Sequence, residues 1–135
     1  MAIIPAATPS RQSRPDLIAY KQSLTLEFPA LVTRLVALIG RKLTAYVAGV
    51  KDTRSVDGWL KGNTPYGDVE PRLRLTFHIA QTLNDHDSPR VVQAWLTGVN
   101  PELGDRVPVR LLREGDLNVV AAELLGAARA FVAGG

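Results

Sequence analysis

Residues 41–61 read RKLTAYVAGVKDTRSVDGWLK, two short stretches with helical apolar spacing that are joined at a glycine. A helix-turn-helix needs a small residue where its two helices cross and a glycine at the turn, because the backbone there favours a positive φ. Ala45 and Gly49 lie four residues apart and meet both requirements. The stretch therefore predicts a helix-turn-helix, and the alternative is two amphipathic helices that merely share a glycine.

The second helix of this pair must be held against the first by apolar side chains. Val56, Trp59 and Leu60 have the spacing for this contact. Val56 and Trp59 come one residue later than the tightest helix-turn-helix spacing places them, which predicts a lengthened turn.

A helix held in this way turns its other face to solvent, where it can enter a DNA major groove. Arg54 can donate two hydrogen bonds to a guanine edge, whereas the neighbouring cations are suited to phosphates. Gly58 allows a backbone to approach closely, and Asp57 on the same face repels phosphate. The candidate DNA-binding residues are Arg41, Lys42, Lys51, Thr53, Arg54, Gly58 and Lys61.

The rest of the chain also favours helices, and no segment has the sustained alternation of a strand. Caps, prolines and glycines delimit eight predicted helices: 16–27, 29–39, 41–48, 53–61, 68–84, 89–96, 108–115 and 116–132. In the fifth helix, Leu73, Phe77, Ala80 and Leu83 share one face, whereas Arg72, Arg74 and Gln81 fall elsewhere.

The predicted fold class is all-α, with a helix-turn-helix-like helical region followed by a small helical domain. We expect a disordered arm at residues 1–15, the DNA-binding region at 16–66 and the small helical domain at 67–135.

The composition is that of one or two small globular domains. The chain has 135 residues, of which 46% are hydrophobic and 21% charged, and it has no cysteine. Residues 1–78 carry a net charge of +5 and residues 79–135 carry −2, which favours a polyanion as the partner of the first part and a protein as the partner of the second. No apolar run approaches the roughly 20 residues that span a bilayer, so we expect a cytoplasmic protein without membrane contact.

Residues 92–115, VQAWLTGVNPELGDRVPVRLLREG, are the most specific run of the chain. They resemble the C-terminal toxin-binding domain of the Xre/ParS-like antitoxins, in which a Trp-Leu pair, an Asn-Pro turn, a proline, a Leu-Leu pair and a glycine follow in order. The chain has Val-Asn-Pro where the family often has Pro-Asn, and Gly-Asp-Arg where a glycine pair is common. The matching residues are Trp95, Leu96, Asn100, Pro101, Leu103, Pro108, Leu111, Leu112 and Gly115.

This resemblance covers roughly residues 35–135 and implies a type II antitoxin, which sequesters a cognate toxin and, in complex with it, represses its own operon. It also implies that residues 67–135 are the toxin-binding domain. The usual toxins of the family have a RES fold and consume NAD, so the antitoxin is expected to cover the toxin's substrate entrance. The candidate toxin-binding residues are Asn100, Glu102, Asp105, Arg106, Arg113, Arg129, Phe131, Gly134 and Gly135. We expect the slender tail at 127–135 to enter the NAD cleft, so that deletion of residues 128–135 abolishes neutralisation and leaves the fold intact.

Two other functions fit the same residues. One is a stand-alone helix-turn-helix regulator whose C-terminal domain serves dimerisation or ligand sensing, and the other is an adaptor that binds protein but no DNA. Binding to operator DNA requires a homodimer, because two recognition helices must match half-sites about one helical turn apart. We therefore expect a homodimer. The helix at 31–39 and the apolar stripe at 73–83 are the candidate interfaces.

Other chemistry has little support in the sequence. Asp85, His86 and Asp87 are consecutive on a turn, so their side chains point in different directions and no further ligand completes a metal site. No phosphate loop, nucleophile elbow or dinucleotide fingerprint occurs. We therefore expect no metal, no cofactor and no enzymatic activity.

Overall fold

The computed structural model describes residues 15–134, and this part of the chain is all α-helical. The eight helices predicted within it are confirmed, each with boundaries that agree within two residues. They are α1 (Pro15–Thr25), α2 (Phe28–Ile39), α3 (Arg41–Ala48), α4 (Arg54–Leu60), α5 (Val69–Asn84), α6 (Pro89–Thr97), α7 (Pro108–Glu114) and α8 (Leu117–Gly134), with a 3-10 turn at Pro101–Leu103 between α6 and α7. Residues 1–14 of the predicted disordered arm lie outside the described residues, and Pro15 already belongs to α1.

Helix boundaries follow from the local sequence. The Ser88 hydroxyl accepts a hydrogen bond from the Val91 N–H at 3.4 Å, and Pro89 takes the first position of α6, where its missing N–H has no helical partner to lose. Pro29 likewise lies in the first turn of α2, which ends at Gly40.

Helix α5 is the centre of the fold, since it packs against α1, α2, α3, α6, α7 and α8. The apolar residues predicted to share one face of α5 are buried in the core, and burial extends round the helix to Thr76, His78, Gln81 and Thr82. The Thr76 and Thr82 hydroxyls donate at 2.8 Å to the carbonyls one turn before them, so these polar groups are buried without losing a partner.

Arg72 lies inside the fold and joins α5 to the end of α7. Its guanidinium donates to the carbonyls of Leu112 and Gly115, the latter at 3.1 Å, and to the Asp68 carboxylate at 2.6 Å. The hydrogen bond from Arg72 is the main reason that the pKa of Asp68 lies below its usual value. One buried cation thus holds two helices together.

The apolar surfaces predicted as dimer interfaces belong to the core of the single chain. They are Leu31, Leu35, Leu38 and Ile39 of α2 and Leu73, Phe77, Ala80 and Leu83 of α5, each at most 7% exposed. The prediction of a dimer interface on these surfaces is wrong, because their apolar side chains are buried within the single chain. A dimer requires another surface.

Helix α8 is long and apolar enough, by length and composition, to cross a membrane. This criterion is weak evidence for a membrane span, since helices of soluble proteins also meet it; α8 packs Val120, Leu124, Ala127 and Ala128 against the rest of the fold, and 22% of the helix is buried. The structure is compatible with a soluble protein.

The predicted slender tail is, as far as Gly134, the last part of α8. Ala128 is buried and Phe131 half-buried against the core, so deletion of residues 128–135 removes packed side chains and we expect it to destabilise the fold. Gly135 lies outside the described residues.

Candidate functional site

The residues of the predicted helix-turn-helix form the two short helices α3 and α4. α3 ends at Gly49, whose φ of 80° lies in the left-handed region that favours glycine. The N–H groups of Gly49 and Val50 donate to the carbonyls of Tyr46 (3.0 Å) and Ala45 (3.2 Å), which is a Schellman arrangement. Residues 49–53 join the helices, so the connection is longer than the roughly three or four residues typical of the motif, in line with the expected lengthening.

Apolar side chains hold α4 in place, as the sequence predicts. Val56 is fully buried, Trp59 is nearly so, and Leu60 is half-buried. The Trp59 ring meets Phe28 of α2 edge to face, with the ring centroids 5.9 Å apart. Because α4 packs on α2 as well as on α3, the direction of its outer face is fixed.

Arg41, a predicted phosphate contact, is bound by an acidic residue of α4. Its Nε and Nη2 donate to the two carboxylate oxygens of Asp57 at 3.0 and 2.6 Å, and Nη2 also reaches the Thr53 hydroxyl at 3.4 Å. This pair ties the first residue of α3 to the middle of α4. Both charged side chains remain nearly half exposed, so a polyanion can compete for the guanidinium.

Replacement of Asp57 by asparagine weakens this pair and removes a negative charge from the same face. We expect Asp57→Asn to bind duplex DNA about 3- to 10-fold more tightly at low salt, with a steeper salt dependence. Fluorescence anisotropy over a salt series measures both quantities. Arg41→Gln is the opposite charge change and should weaken binding; equal affinities of the two variants would show that this face does not meet phosphate.

Arg54, the predicted base-reading residue, is also paired. Asp52 accepts its backbone N–H and its guanidinium, both at 2.9 Å. The hydrogen bond from the Arg54 side chain is the main cause that lowers the pKa of the Asp52 carboxyl. The Arg54 side chain is nevertheless 89% exposed, so this pair is screened by solvent and can be exchanged for another acceptor.

The predicted lysines differ from these arginines. Lys42, Lys51 and Lys61 are exposed and form no hydrogen bond or ion pair through their side chains within residues 15–134. Lys42 and Lys51 line an open pocket of about 720 Å³ beside α3, together with Tyr46 and Arg113. These two lysines are therefore available to a phosphate without the loss of an internal contact.

Gly58 has a close neighbour within the chain. A Cβ at this position would lie 2.7 Å from the side-chain amide nitrogen of Asn63, and the Gly58 carbonyl accepts the Asn63 N–H at 2.9 Å. The glycine makes room for the turn that follows α4. Sequence reasoning missed Asn63, because nothing in its spacing indicates that this turn folds back on the helix.

Asn100 organises the turn between α6 and α7. Its Oδ1 accepts the Glu102 N–H at 2.9 Å, the bond expected of an asparagine before proline. Its carbonyl accepts the N–H groups of Leu103 (3.0 Å) and Asp105 (2.9 Å), and its N–H donates to the Arg106 carbonyl at 3.1 Å. Asn100 is buried, so it shapes the turn and presents little surface of its own to a partner.

Loss of the Asn100 side chain leaves the Glu102 N–H without its acceptor. We expect Asn100→Ala to lower the free energy of unfolding by about 1–2 kcal/mol. Urea unfolding followed by circular dichroism measures the change. Asn118→Ala, at an exposed position of α8, is the matched control with little or no effect, and equal stability of the two variants would contradict the role of Asn100.

An open, largely apolar groove of about 320 Å³ lies between α6, the 3-10 turn and α8. Three predicted toxin-binding residues, Asn100, Glu102 and Phe131, line it. Trp95 and Val99 line it as well, and Val99 is 65% exposed, which is unusual for a large apolar side chain. The remaining lining residues are Ala94, Gly98, Pro101, Ala127 and Ala130.

Two of the predicted toxin-binding residues, Arg106 and Arg113, form contacts within the chain. Arg106 donates to Glu123 of α8 at 2.7 Å and so braces the Asn100 turn against that helix. Arg113 lies over the Tyr46 ring, 4.6 Å from its centroid, and donates to the Tyr46 carbonyl at 2.7 Å. Arg113 therefore joins α7 to α3.

The remaining predicted residues are exposed but do not line the groove. They are Asp105, which has a positive φ of 63°, Arg129 and Gly134. Trp95, one of the residues that match the antitoxin run, is half-buried and contributes to a wall of the groove. Within residues 15–134, no group of three or more histidine, aspartate or glutamate side chains is arranged to hold a metal ion.

Comparison of the chain with protein-family models, curated proteins and solved structures finds no match.

Proposed function

We propose that this chain is a cytoplasmic antitoxin of a type II toxin–antitoxin system. It neutralises a RES-type, NAD-consuming toxin by covering the toxin's active site, and it binds operator DNA through α3 and α4. The observation that carries the proposal is the groove between α6, the Asn100 turn and α8, because seven of its ten described lining residues come from the run at 92–115 that resembles antitoxin toxin-binding domains.

The groove has the properties of a protein-docking site. Trp95 and Phe131 are half-buried and Val99 is exposed, so apolar surface remains that a partner can cover. Glu102 adds one negative charge to the lining. The hydrogen bonds of Asn100 and the Arg106–Glu123 pair hold the groove's walls, so little ordering is required when a partner binds.

The pair α3 and α4 supports a role in DNA binding. Its exposed side carries the unpaired Lys42, Lys51 and Lys61, which suit phosphates, and the exposed Arg54, which suits a base edge. Recognition of a two-fold symmetric operator requires a homodimer, which would assemble with the toxin into a larger complex. The chain contributes no catalytic chemistry under this proposal.

Co-expression with the neighbouring reading frame, followed by affinity purification through this chain, tests the proposal. The expected result is a stoichiometric partner that is toxic when expressed alone and whose NAD consumption this chain suppresses. Recovery of a homodimer beside a harmless neighbour would overturn the antitoxin proposal and favour a stand-alone regulator that uses the same helix pair.

A further inference from the structure

The cations of residues 15–134 fall into two groups. Most arginines are held by carboxylates, carbonyls or an amide oxygen of the same chain, as Arg41, Arg72 and Arg113 are. The side chains without such a contact are Lys21, Lys42, Lys51, Lys61 and Arg90. Arg90 was not among the predicted DNA-binding residues, because it lies in the C-terminal part of the chain.

Arg90 and Lys42 line the same open cleft, which lies between α3 and α6 and has a volume of about 850 Å³. Arg41 also lines the cleft, and none of its lining residues is acidic. The neighbouring pocket beside α3, which Lys42 and Tyr46 also line, by contrast includes Asp52 and Glu114. The α3–α6 cleft is therefore the more favourable of the two for an anion.

The two sides of this cleft are held in a fixed relation. The Gln93 side chain of α6 donates to the Leu38 carbonyl of α2 at 2.9 Å, two residues before the glycine that separates α2 from α3. Lys42 and Arg90 thus line the cleft from two different helices, and neither is paired with an acidic side chain. A bound phosphate would give each of them an anionic partner.

We propose that the α3–α6 cleft binds phosphates of the DNA backbone, with Lys42 and Arg90 as the contacting residues. The DNA interface then extends from the helix-turn-helix onto α6. This inference rests on the proposed DNA binding and adds a second contact region to it. A phosphate contact is sequence-independent, so an operator is not needed to detect it.

The test uses the full chain and a fluorescein-labelled duplex of about 30 base pairs of arbitrary sequence, titrated over a series of salt concentrations. Each released counterion contributes to the slope of log K against log salt concentration. We expect Arg90→Gln and Lys42→Gln each to reduce the magnitude of this slope by about 0.9 and the affinity by about 3- to 10-fold. Lys21→Gln removes the same charge from α1, outside the cleft, and should leave both quantities unchanged.

Arg90→Lys keeps the charge and should retain the slope, because a lysine ammonium can also pair with a phosphate. A contact to a base edge through two hydrogen bonds requires the guanidinium and would be lost in this variant. If Arg90→Gln behaves as Lys21→Gln while Lys42→Gln weakens binding, the cleft proposal is overturned and DNA binding by α3 and α4 stands. If the unmodified chain has no salt-dependent affinity for the duplex, DNA binding itself fails. Thermal melts of each variant verify that these exposed substitutions leave the fold unchanged.

Discussion

Arg72→Met lowers the free energy of unfolding by about 2–4 kcal/mol, the largest loss of stability that we expect from a single polar substitution in this chain. The guanidinium is buried and donates to the Leu112 and Gly115 carbonyls at the end of α7. Methionine keeps the apolar stem and removes the donors, so these carbonyls and the Asp68 carboxylate lose their common partner. Urea unfolding measured by circular dichroism and by tryptophan fluorescence gives the change.

Arg110→Met is the matched control for this experiment. Arg110 lies in α7, the helix that Arg72 contacts. Its side chain is 65% exposed, and its ion pair with Glu114 is long, at 3.7 Å. An exposed pair of this kind contributes little, so we expect a change below about 0.5 kcal/mol. A loss for Arg72→Met no larger than that of the control would contradict the part that we assign to Arg72.

Under the proposed function, we expect Ala130→Arg to abolish capture of the toxin, with a loss of affinity of about 100-fold or more. Ala130 is exposed and lines the groove, so the longer side chain occupies the space that a partner needs and brings a charge that the partner must desolvate. Arginine is a good helix former, so α8 should persist. The readouts are co-purification with the toxin and rescue of growth when the toxin is expressed.

Ala122→Arg introduces the same side chain into the same helix, at an exposed position that does not line the groove. It should neutralise the toxin as well as the unmodified chain does. If both variants neutralise the toxin, the groove is not the docking site. This pair of substitutions is a cleaner experiment than a deletion of residues 128–135, because the deletion also removes the buried Ala128.

Local patterns were sufficient to predict the helices and the form of two turns. Proline and glycine positions gave helix boundaries, and Gly49 and Asn100 play the parts expected of them, the first through its positive φ and the second through its bond to the Glu102 N–H. These features depend on residues close in sequence. The periodicity of α5 also placed its apolar residues on one face, but it did not show that this face is buried within the single chain.

The contacts of the arginines could not be predicted in the same way, because their partners are distant in the chain. Arg72 does not lie on the apolar face of α5, and its guanidinium is buried because it packs against α7, where it donates to the Leu112 carbonyl. Arg113 meets Tyr46, 67 positions earlier in the chain, and Arg41 meets Asp57 across a turn. Sequence reasoning treated Arg41 and Arg113 as ligand-binding residues, whereas packing gives each an internal partner.

Helix α6 has a consequence for how the two binding regions depend on each other. Ala94 of α6 lines both the groove and the cleft, so the two sites share a wall no thicker than one helix, about 10 Å. Under the two proposals, a protein seated in the groove is much wider than that distance. We therefore expect occupancy of one site to alter the affinity of the other, by the same factor in both directions. Under the proposed function, the strength of repression becomes a measure of the ratio of toxin to antitoxin in the cell.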